Sequence, residues 1–375
     1  MTRAAFTTAL SAAVPQVNHA SVSTISDDDL QDQLLQGVSR TFALTIPQLP
    51  PPLRKVVGNA YLLCRIVDTI EDEPNLTAQE KRRFCTAFAA VVAGQAAPES
   101  LSVTLAGKLS PSTPEAEQWL IAEMPRVIAI THSLDEVQRD ALSTCVHVMA
   151  DGMAAFQEAR TGGGLANLAE LDLYCYYVAG DVGEMLTRLF CNYSQDVARN
   201  REALMRLAVS FGQGLQMTNI LKDMWEDRQR GACWLPQDVF REHGFDLAQL
   251  APDAYCEGFR QALERLVRIT HGHLRDALQY TLLIPKHETE IRQFCLWAIG
   301  MAVLTLRKIA RNPRFSSGSE VKISRRSVKL VILASRLWGG NNTMLKLLFA
   351  IAGTGLPRIA HKRDGAIMPA SPAAR

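Results

Sequence analysis

The sequence predicts an all-α protein in which helices surround a central cavity. Apolar residues recur at the 3.6-residue spacing of amphipathic helices through most of the chain. Alternating apolar and polar runs bounded by hairpin turns, which indicate β-strands, are nearly absent. The chain has 375 residues, of which 47% are hydrophobic and 21% charged, a balance that suits a large buried core. Because no long polar linker divides the chain, we expect a single domain over residues 26–355.

The first helices are predicted from residues that cap or break a helix. Ser26 precedes three aspartates, a pattern typical of an N-cap and an acidic first turn, and this helix runs toward Gly37. Pro47 and the prolines at 50–52 then break the chain before a helix over residues 53–72. Later helices are predicted over residues 77–92, 114–130, 134–160, 170–190, 200–226, 252–284, 287–310 and 327–337, with a loop between the first two.

Charge and cysteine content narrow the class of protein. The formal net charge is only +2, so the strong basic excess of a nucleic-acid-binding protein is missing and no nucleic-acid partner is expected. The eight cysteines are scattered singly, without CxxC or Cys/His metal spacing. They are interpreted as reduced core thiols of a cytoplasmic protein.

The two ends of the chain are predicted to be tails. Residues 1–25 have an apolar stretch that is interrupted too early for a signal peptide, so a mobile tail is expected. Residues 356–375 are expected to form a flexible basic tail. No apolar run reaches the length of about eighteen residues that a membrane-spanning helix needs. The nearest candidate, Met344–Gly353, suits either a core helix or peripheral contact with a membrane.

Two acidic pairs are the most informative feature of the sequence. Asp68 and Asp72 stand at i and i+4 in one predicted helix, and Asp223 and Asp227 repeat this spacing in another. Residues at this spacing project from one helix face, where like charges repel and burial is costly unless a cation neutralises them. Mg²⁺ binds carboxylate oxygens and shares its other ligands with substrate phosphates. The pairs therefore indicate a metal-lined pocket for a diphosphate.

Polar and basic residues accompany both pairs. Tyr61 shares the helix stripe of the first pair, and Asn219 shares that of the second. Cations beside the acids could bind phosphate oxygens. These cations are Arg65, Lys222, Arg228 and Arg230. The alternative is that each stripe is the solvated edge of a surface helix, held by weak ion pairs.

A third group of residues lies between the two acidic pairs. Ala179, Gly180 and Gly183 are small enough to let a ligand or another chain segment approach the helix backbone closely. Tyr174 and Tyr177 could donate hydrogen bonds from an otherwise apolar wall. Ordinary helix–helix packing with satisfied tyrosines explains this pattern equally well.

Together, these segments resemble the squalene/phytoene synthase family of head-to-head isoprenoid diphosphate synthases. The segments that carry the resemblance are VSRTF (38–42), YLLCRIVDTIED (61–72), YCYYVAGDVGEMLTRLF (174–190), QMTNILKDMWED (216–227) and WLP (234–236). They occur in the order found in the family, and the resemblance extends over roughly residues 30–340. It implies an isoprenoid-synthase helical bundle around a central cavity.

The resemblance also implies roles for individual residues. Tyr174 would lie near a proton-transfer step, and the four aspartates would be catalytic and, with Glu71, bind Mg²⁺. The residues expected to contact the substrate are Ser39, Phe42, Tyr61, Arg65, Asn219, Lys222, Arg228, Arg230 and Phe294. The family commonly has a small or apolar residue where this chain carries Asp181.

Within the family, several segments are more similar to those of squalene synthases. They are the first acidic motif, residues 293–295, residues 301–306 and the segment around Lys322. This similarity implies condensation of two farnesyl diphosphate molecules through presqualene diphosphate, followed by reduction with NADPH. The residues expected to bind the nicotinamide cofactor are Arg40, Arg65, Lys222, Lys322 and Arg325. The alternatives are a phytoene, dehydrosqualene or presqualene diphosphate synthase without the reduction, and a non-catalytic prenyl-lipid-binding protein.

Overall fold

Every regular element in the computed structural model is helical, which confirms the predicted all-α class. The structure describes residues 25–39, 41–158, 163–252 and 254–357. Within these ranges the only β-type pairing is an isolated bridge between Leu165 and Pro236. Nearly all of both predicted tails lies outside the described residues, as does Arg40. The proposed domain limits therefore stay a prediction.

Most helices begin and end close to their predicted limits. Ser26 caps the first one, because the Asp29 N–H donates to its Oγ at 3.1 Å. The helices are α1 (Asp27–Val38), α2 (Phe42–Thr45), α3 (Pro51–Asp72), α4 (Ala78–Val92), α5 (Pro98–Ala106), α6 (Glu115–Ala122), α7 (Met124–His132), α8 (Glu136–Glu158), α9 (Leu168–Cys175), α10 (Asp181–Tyr193), α11 (Gln195–Ala198), α12 (Arg201–Gln229), α13 (Gln237–Glu242), α14 (Glu257–Leu283), α15 (Thr289–Arg311), α16 (Gly318–Val321), α17 (Arg325–Trp338) and α18 (Asn342–Ala352).

Prolines and one wider turn explain where the structure departs from the predicted helices. The helix expected over 114–130 is divided at Glu123, and Pro125 occupies the first turn of α7, where its missing N–H costs nothing. Pro98 starts α5 in the same way, within a segment predicted to be a loop. The helix expected over 170–190 contains a π-helical segment, Tyr176–Gly180, between α9 and α10.

The core consists of two large hydrophobic clusters that meet beside the central cavity. One cluster is built around α3, α4 and α8, and the other around α12, α14 and α15. Val178 and Phe211 pack against both clusters, and both side chains also line the cavity. The cavity is therefore the space that the two clusters leave between them.

Two glycines bring the π-helical segment and α10 close to α12. A Cβ atom on Gly212 would lie 1.9 Å from the Ala179 carbonyl oxygen, and one on Gly183 would lie 2.2 Å from that of Ala208. Only glycine allows helix backbones to approach this closely without a shift. The small residues of this segment thus serve helix packing, while Ala179 and Gly183 also form part of the cavity wall.

One helix in the described ranges, α15, is long and apolar enough by length and composition to cross a membrane. More than half of it is buried within the fold. Phe294 and Ala298 on one face reach the central cavity, whereas Trp297 and Gly300 meet α17. These contacts are those of a core helix.

Candidate active site

The central cavity has a volume of about 540 Å³ and is lined mainly by α3 and α12. Along both helices the lining changes from apolar to acidic toward the C-terminus. The lining residues extend from Val57 to Asp72 on α3 and from Phe211 to Asp227 on α12. At a rise of 1.5 Å per residue, each stretch is roughly 22–24 Å long. The cavity therefore has a charged end and an apolar end.

The first acidic motif lies in the charged end, as predicted. Asp68, Glu71 and Asp72 all line the cavity, and Arg65 lies one turn before them with Nη1 3.7 Å from Asp68 Oδ2. Burial raises the pKa of Asp68 to about 7, and the like charges of Asp72 and Glu117 add to this, although Arg65 opposes it. Negative charge is therefore unfavourable here without a further cation.

Glu117 was not predicted from the sequence, yet it positions the first motif. It comes from α6, is only 8% exposed, and accepts a hydrogen bond from Arg65 Nη2. Thr69 Oγ1 donates to its other oxygen at 3.3 Å. Glu117 thus holds the guanidinium beside Asp68. No spacing rule links these residues, because the contact forms only when α6 packs on α3.

The second acidic motif faces the first across the cavity. Lys222 Nζ lies 3.0 Å from Asp223 Oδ2, and Arg230 Nη2 donates to Asp227 Oδ1 at 2.6 Å. Burial raises the pKa of Asp227; Asp223 and Asp72 raise it further, while Arg230 lowers it. The effect of Asp72 on Asp227 shows that the two motifs share one electrostatic environment.

The candidate ligands at the charged end are all carboxylate oxygens, which suit a hard divalent cation such as Mg²⁺. Burial raises the pKa of Asp68 and of Asp227, and neighbouring carboxylates raise it further. Among the described residues, no group of three or more His, Cys, Asp or Glu side chains is arranged to hold an ion. Basic side chains pair with the acids instead. The arrangement thus suits an ion that takes several ligands from substrate phosphates, not one held in a cage of protein atoms alone.

Tyr174 lies in the cavity wall beside the acidic motifs. Its ring stacks on Trp234 with centroids 4.0 Å apart and planes 8° apart, and Phe156 meets it edge-on at 5.4 Å. Burial raises the pKa of Tyr174 well above its usual value, and Glu71 adds to the effect. The phenol therefore stays protonated at neutral pH. Trp234 appeared in the sequence only as part of a motif, and its stacking with Tyr174 was not predicted.

Aromatic side chains from α2, α3 and α15 form the less polar walls. Phe42 and Tyr61 lie 5.0 Å apart between ring centroids, and Tyr61 Oη donates to the Val38 carbonyl at 3.4 Å. Phe294 packs edge-on against Phe190. Ser39 does not line the cavity but accepts a hydrogen bond from the Phe42 N–H at 2.9 Å, so it supports this wall.

Some of the other predicted site residues line the cavity, and others do not. Asn219 and Lys222 line the cavity from α12. Arg228 does not, and it donates to the Ala248 carbonyl at 3.1 Å. Lys322 and Arg325 are exposed and stand outside the cavity lining. Arg40 cannot be placed, since it lies outside the described residues.

The segment that leads to Lys322 nevertheless contacts the second acidic motif. The Gly318 N–H donates to Glu226 Oε1 at 2.9 Å. A Cβ atom on Gly318 would lie 3.0 Å from both Asp223 Oδ1 and the Lys222 carbonyl oxygen. Glu226 therefore ties α16 to the motif and does not point into the cavity.

Comparison with known proteins agrees with this geometry. The family model described as "Squalene/phytoene synthase" matches residues 35–327, which is well over half of the chain. The chain belongs to the squalene/phytoene synthase family. It is therefore a prenyltransferase, and the predicted family resemblance is confirmed.

Curated relatives in this family are squalene synthases of fungi. Squalene synthase ERG9 of Candida albicans is 30% identical over 314 residues, covering 82% of this chain and 67% of the relative. The squalene synthase of Eremothecium gossypii is 29% identical over 310 residues, covering 82% and 68%.

Solved structures share the fold. TcSQS in complex with the ligand BPH1237 has a TM-score of 0.72 and 24% identity, covering 90% of this chain and 93% of that one. A dehydrosqualene synthase in complex with a ligand has a TM-score of 0.59 and 19% identity, covering 83% and 96%. At these identities the likeness supports the isoprenoid-synthase helical fold alone.

Proposed function

We propose that the chain is a squalene synthase, which condenses two farnesyl diphosphate molecules head-to-head through presqualene diphosphate and reduces the product with NADPH. Squalene synthases at about 30% identity over 82% of the chain support this activity. The observation that carries the proposal is the cavity itself, with two acidic motifs at one end and apolar walls at the other. This arrangement suits a substrate with a diphosphate head and a long hydrocarbon tail.

The charged end would bind and release diphosphate. Arg65, Lys222 and Arg230 are close enough to the aspartates to exchange these ion pairs for contacts with phosphate oxygens. The carboxylates of Asp68, Asp72, Asp223 and Asp227, with Glu71, would hold Mg²⁺. When bound, the metal would neutralise charge on the departing pyrophosphate. Loss of pyrophosphate leaves an allylic cation in the apolar part of the cavity.

The aromatic walls would protect that cation. The stacked pair of Tyr174 and Trp234 offers π faces beside the acidic motifs, and such faces stabilise nearby positive charge. Phe42 and Phe294 keep the neighbouring walls apolar, so water is excluded from the reactive carbon. Because burial raises its pKa, Tyr174 would serve as a hydrogen-bond donor at the proton-transfer step, not as a tyrosinate base.

The proposal of a reductive step is supported more by the similarity to squalene synthases than by the residues that line the cavity. NADPH would supply a hydride when bound. Arg65 and Lys222 are inside the cavity and could bind its phosphates, but Lys322 and Arg325 are exposed outside the lining. The contact of Lys322 and Arg325 with the cofactor therefore stays a prediction, and a synthase that stops at presqualene diphosphate or forms dehydrosqualene or phytoene stays the alternative. We also propose that the protein is cytoplasmic and makes peripheral contact with a membrane.

Two conservative substitutions test the ionisation machinery. Asp68→Asn and Asp223→Asn keep side-chain size but remove a charge from each motif, so we expect pyrophosphate release from farnesyl diphosphate with Mg²⁺ to fall by at least about 100-fold. Asp140→Asn is the matched control, because Asp140 pairs with Arg188 and does not line the cavity. Turnover near the wild-type rate in both motif variants would refute a catalytic role.

A further inference from the structure

The last two described helices carry an apolar face that nothing in the described chain covers. Leu330, Leu333 and Leu337 on α17 are 64%, 53% and 62% exposed. Leu347 and Ile351 on α18 are 51% and 55% exposed. These five residues, the C-terminal apolar face, are more than half of the nine large hydrophobic side chains that stand exposed in the described residues. Their concentration on two adjacent helices indicates an interaction surface.

On α17, the exposed leucines lie opposite the side that packs on the protein. Positions 330, 333 and 337 share one helix face at i, i+3 and i+7 spacing. The opposite face holds Ser335, whose Oγ accepts a hydrogen bond from Trp297 Nε1 at 2.6 Å, and Val331, which packs tightly on Gly300. The helix is already anchored on α15, so its outer leucines are not needed to hold it there.

The outer side of α18 has the same character. Leu345 is buried in a small cluster with Leu278 and Leu296, and Phe349 packs beside it. Leu347 and Ile351 stand one turn apart on the other side. Both helices pack on α15 and contact each other, so the five exposed residues belong to neighbouring helices.

Charge around this face is strongly one-sided. Residues 321–357 contain six basic residues and no acidic ones. None of the six forms a salt bridge with another described residue. Residues 321–375 carry a formal charge of +9, whereas the whole chain carries +2, so the first 320 residues carry −7. The basic residues are Lys322, Arg325, Arg326, Lys329, Arg336 and Lys346.

We propose that α17 and α18 dock the protein on an anionic lipid bilayer, with the C-terminal apolar face inserted among the headgroups. A helix that lies in a membrane interface combines an apolar face with flanking Lys and Arg residues. On α17, Lys329 and Arg336 lie beside the leucine stripe at 100° per residue, where they can reach lipid phosphates. A second copy of this chain, equally basic at this surface, would be repelled.

The inference makes specific the membrane contact proposed above, but it does not depend on the proposed reaction, since binding to lipid can be measured without substrate. The full chain is sedimented with phosphatidylcholine vesicles that contain or lack phosphatidylglycerol, at low and at physiological salt. We expect binding only to the phosphatidylglycerol vesicles, with weaker binding at higher salt.

Variants separate the apolar contribution from the charge contribution. Leu330→Ser, Leu333→Ser and Leu337→Ser combined should lower the partition coefficient at least about tenfold. Lys329→Gln with Arg336→Gln should lower it roughly fivefold for each charge. Val103→Ser with Val137→Ser is the matched control, because these residues are 74% and 47% exposed on other helices. Thermal unfolding should show that all variants fold.

Three outcomes would overturn the proposal. One is no binding of the wild-type chain to phosphatidylglycerol vesicles at low salt. Another is equal binding by the wild type and the triple serine variant. The third is a triple variant that turns a dimer into a monomer in sedimentation equilibrium with unchanged vesicle binding, because the face would then join two copies of the chain.

Discussion

Asp181 is a carboxyl group inside the fold, and its surroundings favour the protonated form. The side chain is 4% exposed, its Oδ1 accepts from the Val182 N–H at 2.7 Å, and Cys145 Sγ donates to Oδ2 at 3.5 Å. Burial raises the pKa of Asp181 well above 3.8, and these hydrogen bonds offset only part of the effect. The acid stands beside the cavity wall without lining it.

Replacing this acid should change how stability depends on pH. In the fold Asp181 keeps its proton over a pH range in which the unfolded chain has lost it, so the contribution of Asp181 to the free energy of unfolding falls as pH rises above about 4. The side chain in Asp181→Asn cannot ionise. The free energy of unfolding of the variant, relative to that of the wild type, should therefore rise from pH 5 to pH 8. Urea unfolding at both pH values measures this; an advantage that stays constant would contradict a raised pKa.

Individual site residues were predictable where they repeat along one helix. The aspartates and Arg65 follow from helical spacing, Lys222 was singled out because it is next to Asp223, and the structure places all of them in one cavity. Glu117 lies 52 residues after Arg65 on another helix, and Trp234 reaches Tyr174 from a loop. Such contacts depend on tertiary packing, which spacing along the sequence does not specify.

The contact between α12 and the π-helical segment gives a prediction at the scale of the helices. Gly212→Ala would place a methyl group against the Ala179 carbonyl and push the helices apart, so the free energy of unfolding should fall by about 1–3 kcal/mol. Gly272→Ala is the control, because a Cβ there meets nothing within 4 Å, and it should stabilise α14 by up to about 1 kcal/mol. Denaturant titration measures the free energy of unfolding of both variants. Equal changes in the two would mean that the contact between Gly212 and the Ala179 carbonyl does not require glycine.

Helix existence was easier to predict than helix continuity. Long amphipathic runs such as α3, α12 and α14 were expected close to their observed limits because their apolar period is strong. The division between α6 and α7 and the π-helical turn at Tyr176–Gly180 were missed. The signal for the first was Pro125. The second has no comparable signal, because one extra residue in a turn leaves the apolar pattern nearly unchanged.

Two large hydrophobic clusters form most of the packed core of the described chain. The acids at the cavity pair with basic side chains, and no preformed cage is present among the described residues. Removing divalent metal with EDTA should therefore abolish turnover but shift Tm by less than about 2 °C, or under roughly 1 kcal/mol. Differential scanning calorimetry with and without EDTA tests this. A loss of more than about 10 °C would indicate a structural metal.

The overall architecture followed from the sequence, whereas the shape of the cavity did not. Helical periodicity and the lack of strand patterns predicted helices around a pocket, and the order of motifs predicted the family. The position of Lys322 and Arg325 outside the lining depends on how α16 and α17 pack. Their place in the reductive step stays a prediction.

Product analysis by mass spectrometry, with farnesyl diphosphate and Mg²⁺ in the presence and absence of NADPH, tests the central claim most directly. We predict squalene when NADPH is supplied and presqualene diphosphate or other non-reduced products when it is withheld. The same non-reduced product under both conditions would show that the cavity completes the condensation but not the reduction, and would contradict squalene synthase activity.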